Sequence, residues 1–196
     1  MLEMVKGCYV PCADKLKEEY MIDKCYITAN VNASKIEEII QHFIIIQKEL
    51  IFFILELPAN AVAEEKIQTD KPVSLHRDVY YIDGLTNEQA LILFMKYKEL
   101  LINDGLCRFG FGVQDNSAEI MLNEYNIMTF WTNNMQKYSM FFDTHGIHIT
   151  DNYISAWDTF SSDNPGQCKS VTVNDISVYD LPEKLKEYGM YFAETR

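Results

Sequence analysis

The densest group of metal- and proton-handling side chains is Asp143-Thr-His145-Gly-Ile-His148, with Asp151 close behind. Imidazole and carboxylate together suit zinc or a comparable ion. Asp143, His145, His148 and Asp151 are therefore the candidate ligands of a metal-dependent hydrolase or small-molecule site. The spacing does not force them together. A helix ending at Gly146 would leave His145 and His148 on separate elements, and the H-E-x-x-H spacing that sets two ligands on one helical face is missing. The sequence calls for no cofactor.

Other reactive groups point less to chemistry. Cys8 and Cys12 form C-x3-C, with Cys25 beyond, but no fourth ligand stands at a zinc spacing. Cys25 and Cys107 alternate with apolar residues and read as packing. Five cysteines, odd in number and scattered, fit a reducing cytoplasm better than a disulfide framework. His42 falls beside Lys35 and Glu38 on the polar side of its helix and is expected to face solvent. Neither G-x-S-x-G nor S-x-x-K occurs, so no nucleophile is marked. Gly110 and Gly112 lie inside a strand-like run with no lysine after them, unlike a phosphate loop, so the expectation is that a helix packs closely over them.

What remains is charge and aromatic area. The net charge is −12, from 17 basic and 29 acidic residues. Between Glu99 and Cys168 nine acidic side chains face only Arg108 and Lys137. Such a surface repels nucleic acid and anionic membranes and attracts basic partners. Trp131 and Trp157, the two tryptophans, fall in this stretch. Rings beside carboxylates suit capture of a basic protein: rings give contact area and charges speed encounter. Glu119, Glu124, Trp131, Trp157, Asp158 and Asp163 are accordingly the expected binding residues. The expectation is a non-enzymatic, cytoplasmic protein that binds a basic partner, one concrete version being an immunity or inhibitor protein against a bacterial toxin. The alternatives are the small-molecule or metal site above, and a structural or assembly subunit kept soluble by its acids. The opening MLEMVKGCYVPC has no basic segment leading a long apolar core, and no apolar run reaches the ~18 residues of a membrane span, so neither leader nor span is expected.

The elements that must position these groups read as α+β. Cys25 to Val31 and Leu50 to Leu57 are strand-like and flank a helix that Ser34 and Glu37 would cap. Val79 to Ile82, a turn at Asp83-Gly84, a helix capped by Thr86 and Gln89 and stopped by left-handed Gly105, and a strand through Phe109 and Phe111 form a second such unit. Two βαβ units in series predict a ferredoxin-like mixed or antiparallel sheet with helices on one face. A hairpin over Glu119–Asn123 and Ile127–Thr132 follows, then helices near Asn133–Thr144 and Glu183–Tyr188. Ala59 to Arg77 is expected to be a long loop with a helical turn or two. The chain is expected to be one domain over 1–196, with a core over roughly 25–145 and an irregular extension over roughly 146–196.

Overall fold

The computed structural model describes residues 2–59 and 76–196; the expected loop beyond Ala59 lies almost wholly outside them. The strands are β1 (Cys8–Tyr9), β2 (Glu19–Asp23), β3 (Tyr26–Asn30), β4 (Ile51–Pro58), β5 (Arg77–Leu85), β6 (Arg108–Val113), β7 (Ala118–Leu122), β8 (Ile127–Thr132), β9 (His148–Ile149), β10 (Gln167–Cys168) and β11 (Tyr191–Thr195). The α-helices are α1 (Ile36–Ile46), α2 (Asn87–Asn103), α3 (Met135–Tyr138) and α4 (Leu181–Lys184). Nine strands make one sheet in the order β11-β5-β4-β6-β7-β8-β3-β2-β9, antiparallel except for β2 with β9, and β1 pairs with β10 separately. The fold is α+β, with a large, mostly antiparallel sheet.

That order departs from a ferredoxin-like sheet. β5-α2-β6 is a split unit, its two strands separated by β4, as such a fold requires. In β3-α1-β4, however, β8, β7 and β6 all lie between the two strands. The β7–β8 hairpin pairs β7 with β6 and β8 with β3, and so holds the first unit's strands apart.

The apolar β4 is an interior strand, third in the order, and buried from Ile51 to Leu57. α1 and α2 cover one face of the sheet, over a layer containing Phe43, Phe53, Phe94, Phe109, Phe111, Phe130 and Phe142. Thr86 and Gln89 form the expected reciprocal cap, with Gln89 N donating to Thr86 Oγ1 (3.2 Å) and Thr86 N to Gln89 Oε1 (2.9 Å). At α1 the cap lies earlier than expected. Asn32 Oδ1 accepts from Ser34 N (3.3 Å), a 3₁₀ turn leads into the helix, and Glu37 bonds Gln41 and Lys98.

Three other local expectations are corrected. Asp83-Gly84 is not a turn: it lies inside β5, where the register against β4 slips, and Gly84 takes φ 72°. Gly105 is not left-handed. The buried Asp104 closes the end of α2 by accepting from Leu106 N, Cys107 N, Ser170 Oγ and Val171 N, while Gly105 lets Gly7 approach backbone to backbone. The helix expected over Asn133–Thr144 is broken into α3 and a 3₁₀ turn over Asp143–His145, ended by Gly146 at φ 69°. The late segment joins the body: β11 forms a sheet edge, and Val178, Leu181, Leu185 and Met190 enter the main core.

Candidate functional site

With α1 and α2 on one face, the other face of the sheet carries a second set of side chains. Register fixes their rows. Phe52, Gly112, Glu119, Trp131 and Tyr26 lie side by side from β4 to β3. In the neighbouring row Tyr191, Tyr81, Ile54, Gly110, Met121, Thr129 and Thr28 follow one another. The two glycines are explained here, on the side away from the helices. A Cβ on Gly112 would stand 2.1 Å from the Phe52 ring, and one on Gly110 would stand 2.0 Å from the Ile120 carbonyl. Phe52 lies over the missing side chain, and Phe52, Ile54, Val79 and Met121 form a small apolar cluster with Tyr81 at its edge.

Glu119 sits in the middle of this face, half-buried between the rows, opposite Trp131. Among the described residues it makes no direct hydrogen bond or ion pair. Burial pushes its carboxyl above the ordinary range; Arg196 acts against that and Glu56 adds to it. Trp131 is half-buried and Tyr26 beside it exposed. Glu119 and Trp131 are thus brought together as expected.

Glu124 is different. It lies in the 3₁₀ turn before β8, and its carboxylate is closed on both sides. Arg77 holds Oε1, and Arg108 Nε donates to Oε2 at 2.8 Å. Only 11 % of the Glu124 side chain and 13 % of the Arg77 side chain reach solvent. Burial pulls the Arg77 guanidinium below its ordinary value, and Glu124 opposes that. Glu56 completes the network, 2.7 Å from Arg196 and 3.8 Å from Arg108. Glu124 is therefore a structural carboxylate and no free contact for a partner.

Trp157, 55 % exposed, shares a depression of ≈ 300 Å³ at the lower end of this face with Arg108, Glu124, Thr129 and Tyr153. Its ring meets those of Tyr125 and Phe160 edge-on at 4.9 and 5.5 Å. Asp158 is exposed, but its Oδ2 accepts from Ser155 N and Ser155 Oγ, which hold its carboxyl below the usual range. Asp163 is exposed in the following loop.

Other carboxylates of the acidic stretch are also engaged: Glu99 pairs with Lys6 at 2.6 Å, Asp104 is the buried cap of α2, and Asp143 accepts from Tyr20 Oη at 2.5 Å. The open face therefore owes its negative character to Glu119 and to rim groups such as Asp23 and Asp158, and not to the whole stretch.

The candidate metal ligands separate. Asp143 turns to Tyr20 and has His148 Nδ1 3.7 Å away, and Asp151 is exposed. His145 points the opposite way, its Nε2 2.8 Å from His42 Nδ1 and its Nδ1 3.3 Å from Glu38 Oε1, a near contact not aligned as a hydrogen bond. His42 does not face solvent as expected; it stacks on Phe141 at 4.9 Å. No group of three or more potential ligands converges among the described residues. Burial and the neighbouring His42 hold His145 below the ordinary imidazole value.

Sequence reasoning missed Tyr26 and Tyr81, which flank the same rows, and the arginines that neutralise Glu56 and Glu124. Alternation along β3 and β5 carries the tyrosines' signal; the arginines come from separate elements and carry none. No family model, curated protein or solved structure matches this chain. Among the described residues, no helix is long and apolar enough to cross a membrane.

Proposed function

We propose that this chain is a protein-binding module whose docking surface is the helix-free face of its sheet, and that its partner is a basic protein. The observation that supports this reading is Glu119: a half-buried carboxylate without a hydrogen-bond partner among the described residues, set beside Trp131 and near Tyr26. A lysine or arginine delivered there would meet the charge and lie against aromatic rings, the combination that makes binding hot spots. The net charge of −12 adds long-range attraction for a cationic partner. Neutralisation of a basic bacterial toxin is the concrete form of this reading, in a cytoplasmic setting and without catalysis.

The test is a low-salt pull-down with wild-type protein, Glu119→Lys and Trp131→Ala in parallel, followed by titration calorimetry on whatever basic protein is captured. Each substitution should weaken binding by about 30-fold or more, as hot-spot losses of about 2 kcal/mol imply. Equal capture by all three proteins, or no basic protein in any, would remove the proposal.

A small-molecule reading is favoured by a different group from the one the sequence suggested: Glu38, His145 and His42 in series beside an open notch of ≈ 340 Å³. A ligand that raises Tm in a thermal-shift screen and loses that effect in His42→Ala would support it; hits indifferent to that substitution would not.

A further inference from the structure

Two of the five cysteines meet. Cys8 and Cys168 are direct partners in the β1–β10 ladder, and their sulfurs are 3.8 Å apart. Lys169 N donates to Gly7 O at 2.8 Å beside the pair, while Cys8 N turns back to Val5 O. That pattern marks a non-hydrogen-bonded pair, whose Cα atoms stand about 4.5 Å apart. The separation is within the span that a disulfide bridges, so the bond needs only side-chain rotation.

Tyr125 N donates to Cys8 Sγ at 3.4 Å. Tyr125 does this from φ 59°, and Asn126 follows at φ 61°. Two consecutive left-handed residues, one a bulky aromatic, cost energy and persist only where their surroundings impose them. Asn126 shows how: its side chain accepts from Val5 N and donates to the carbonyls of Glu3 and Val31. The pair borders a groove of ≈ 320 Å³ that includes Lys6 and Lys169, and Cys168 is half-buried on its wall.

We propose that Cys8 and Cys168 are a redox-active dithiol, in which Cys168 reacts with a hydroperoxide and Cys8 resolves the product to a disulfide. The Cys168 thiolate attacks one peroxide oxygen. The O–O bond breaks, hydroxide leaves and is protonated, and Cys168 becomes a sulfenic acid. Cys8 then attacks that sulfur, the S–S bond forms, and a second water leaves with the thiol proton. In sum, two thiols and one hydrogen peroxide give one disulfide and two waters. With the sulfurs 3.8 Å apart one thiol donates to the other; Cys8, the more enclosed of the two, serves as donor, which holds the Cys168 thiol below its ordinary value and, with burial, pushes Cys8 up. Cys107 is buried with its thiol on the Leu101 carbonyl, and Cys12 and Cys25 are free thiols.

The experiment is mass spectrometry of fully reduced protein dosed with one equivalent of hydrogen peroxide. The expected product has lost two hydrogens, yields a linked Cys8–Cys168 peptide, and returns to thiols with glutathione. In Cys8→Ser the reaction should stop at a Cys168 sulfenic acid that dimedone captures. In wild-type protein, which needs no variant to fold, iodoacetamide should label Cys168 at least about tenfold faster than Cys12 or Cys25 at neutral pH. Oxidation of Cys12 or Cys25 ahead of Cys168, equal labelling of the three, or a Cys8–Cys168 disulfide that glutathione leaves intact would each overturn the assignment.

Discussion

Replacing Glu124 with glutamine removes one charge from a network that the fold has closed. Glu124→Gln keeps the shape of the side chain but leaves Arg77, 13 % exposed, and Arg108 facing a neutral amide. Breaking a buried ion pair by removing one partner costs about 3–5 kcal/mol. Arg77 keeps its bond to the Leu106 carbonyl at 2.9 Å, and Arg108 is about one-third exposed, which places the expected cost near the lower end, about 3 kcal/mol. For a chain of this length that corresponds to about 6–12 °C in Tm, or about 1 M in urea midpoint for a slope of about 3 kcal/mol/M. The assay is urea unfolding followed by tryptophan fluorescence, with Arg77→Met/Glu124→Leu as the companion. Exchanging the pair for apolar groups should recover part of the loss, because only Arg108, one-third exposed and still 3.8 Å from Glu56, is left without Glu124. A cost for Glu124→Gln below about 1 kcal/mol would mean that the pair is solvated, as surface pairs are. Glu124 would then return to the exposed acidic surface, and confinement of the open face's charge to Glu119 and the rim would be refuted.

Glu119 supplies a prediction of the opposite sign. Its folded-state carboxyl is held above the ordinary value, so the folded chain binds that proton more tightly than the unfolded chain. Its contribution to stability is present below the unfolded value and lost as pH rises through the folded one. Glu119→Gln should therefore raise Tm relative to wild type at pH 7 and lose that advantage near pH 4; an unchanged difference across the range would contradict the burial argument. His145 behaves conversely: held low in the fold, it makes stability fall as pH drops through the ordinary histidine value, and His145→Gln should flatten that part of a Tm-against-pH curve. Gly105→Asn separates two roles for that glycine. A left-handed cap tolerates asparagine, but a Cβ here would stand 2.1 Å from the Gly7 carbonyl oxygen, so a loss of about 3 kcal/mol or more in urea unfolding is expected. Thr86→Ala should cost about 1 kcal/mol in the same assay by removing one half of the reciprocal cap.

What the sequence could convey follows the range of the interactions involved. The Thr86–Gln89 cap spans three residues and was legible; the Ser34 cap was misplaced because Asn32, two residues earlier, competes for the same donor. The alternation along β6, with Phe109 and Phe111 toward the helices and Gly110 and Gly112 on the other face, is equally local. Sheet order was not legible, since the apolar β4 accepts either neighbour and only the placement of the β7–β8 hairpin decides which strands meet. Charge failed for the same reason. Glu119 and Glu124 look alike in the chain, five residues apart, yet Arg77 arrives at Glu124 from 47 residues away and, among the described residues, no base pairs with Glu119. A count of acids measures the field at a distance and cannot separate a carboxylate that is already neutralised from one that still seeks a partner. The open face acquires its chemical character from that difference. Its arginines gather around Glu56 and Glu124, and the half-buried carboxylate between the rows, next to Trp131, is left as the place where an incoming cation would gain most.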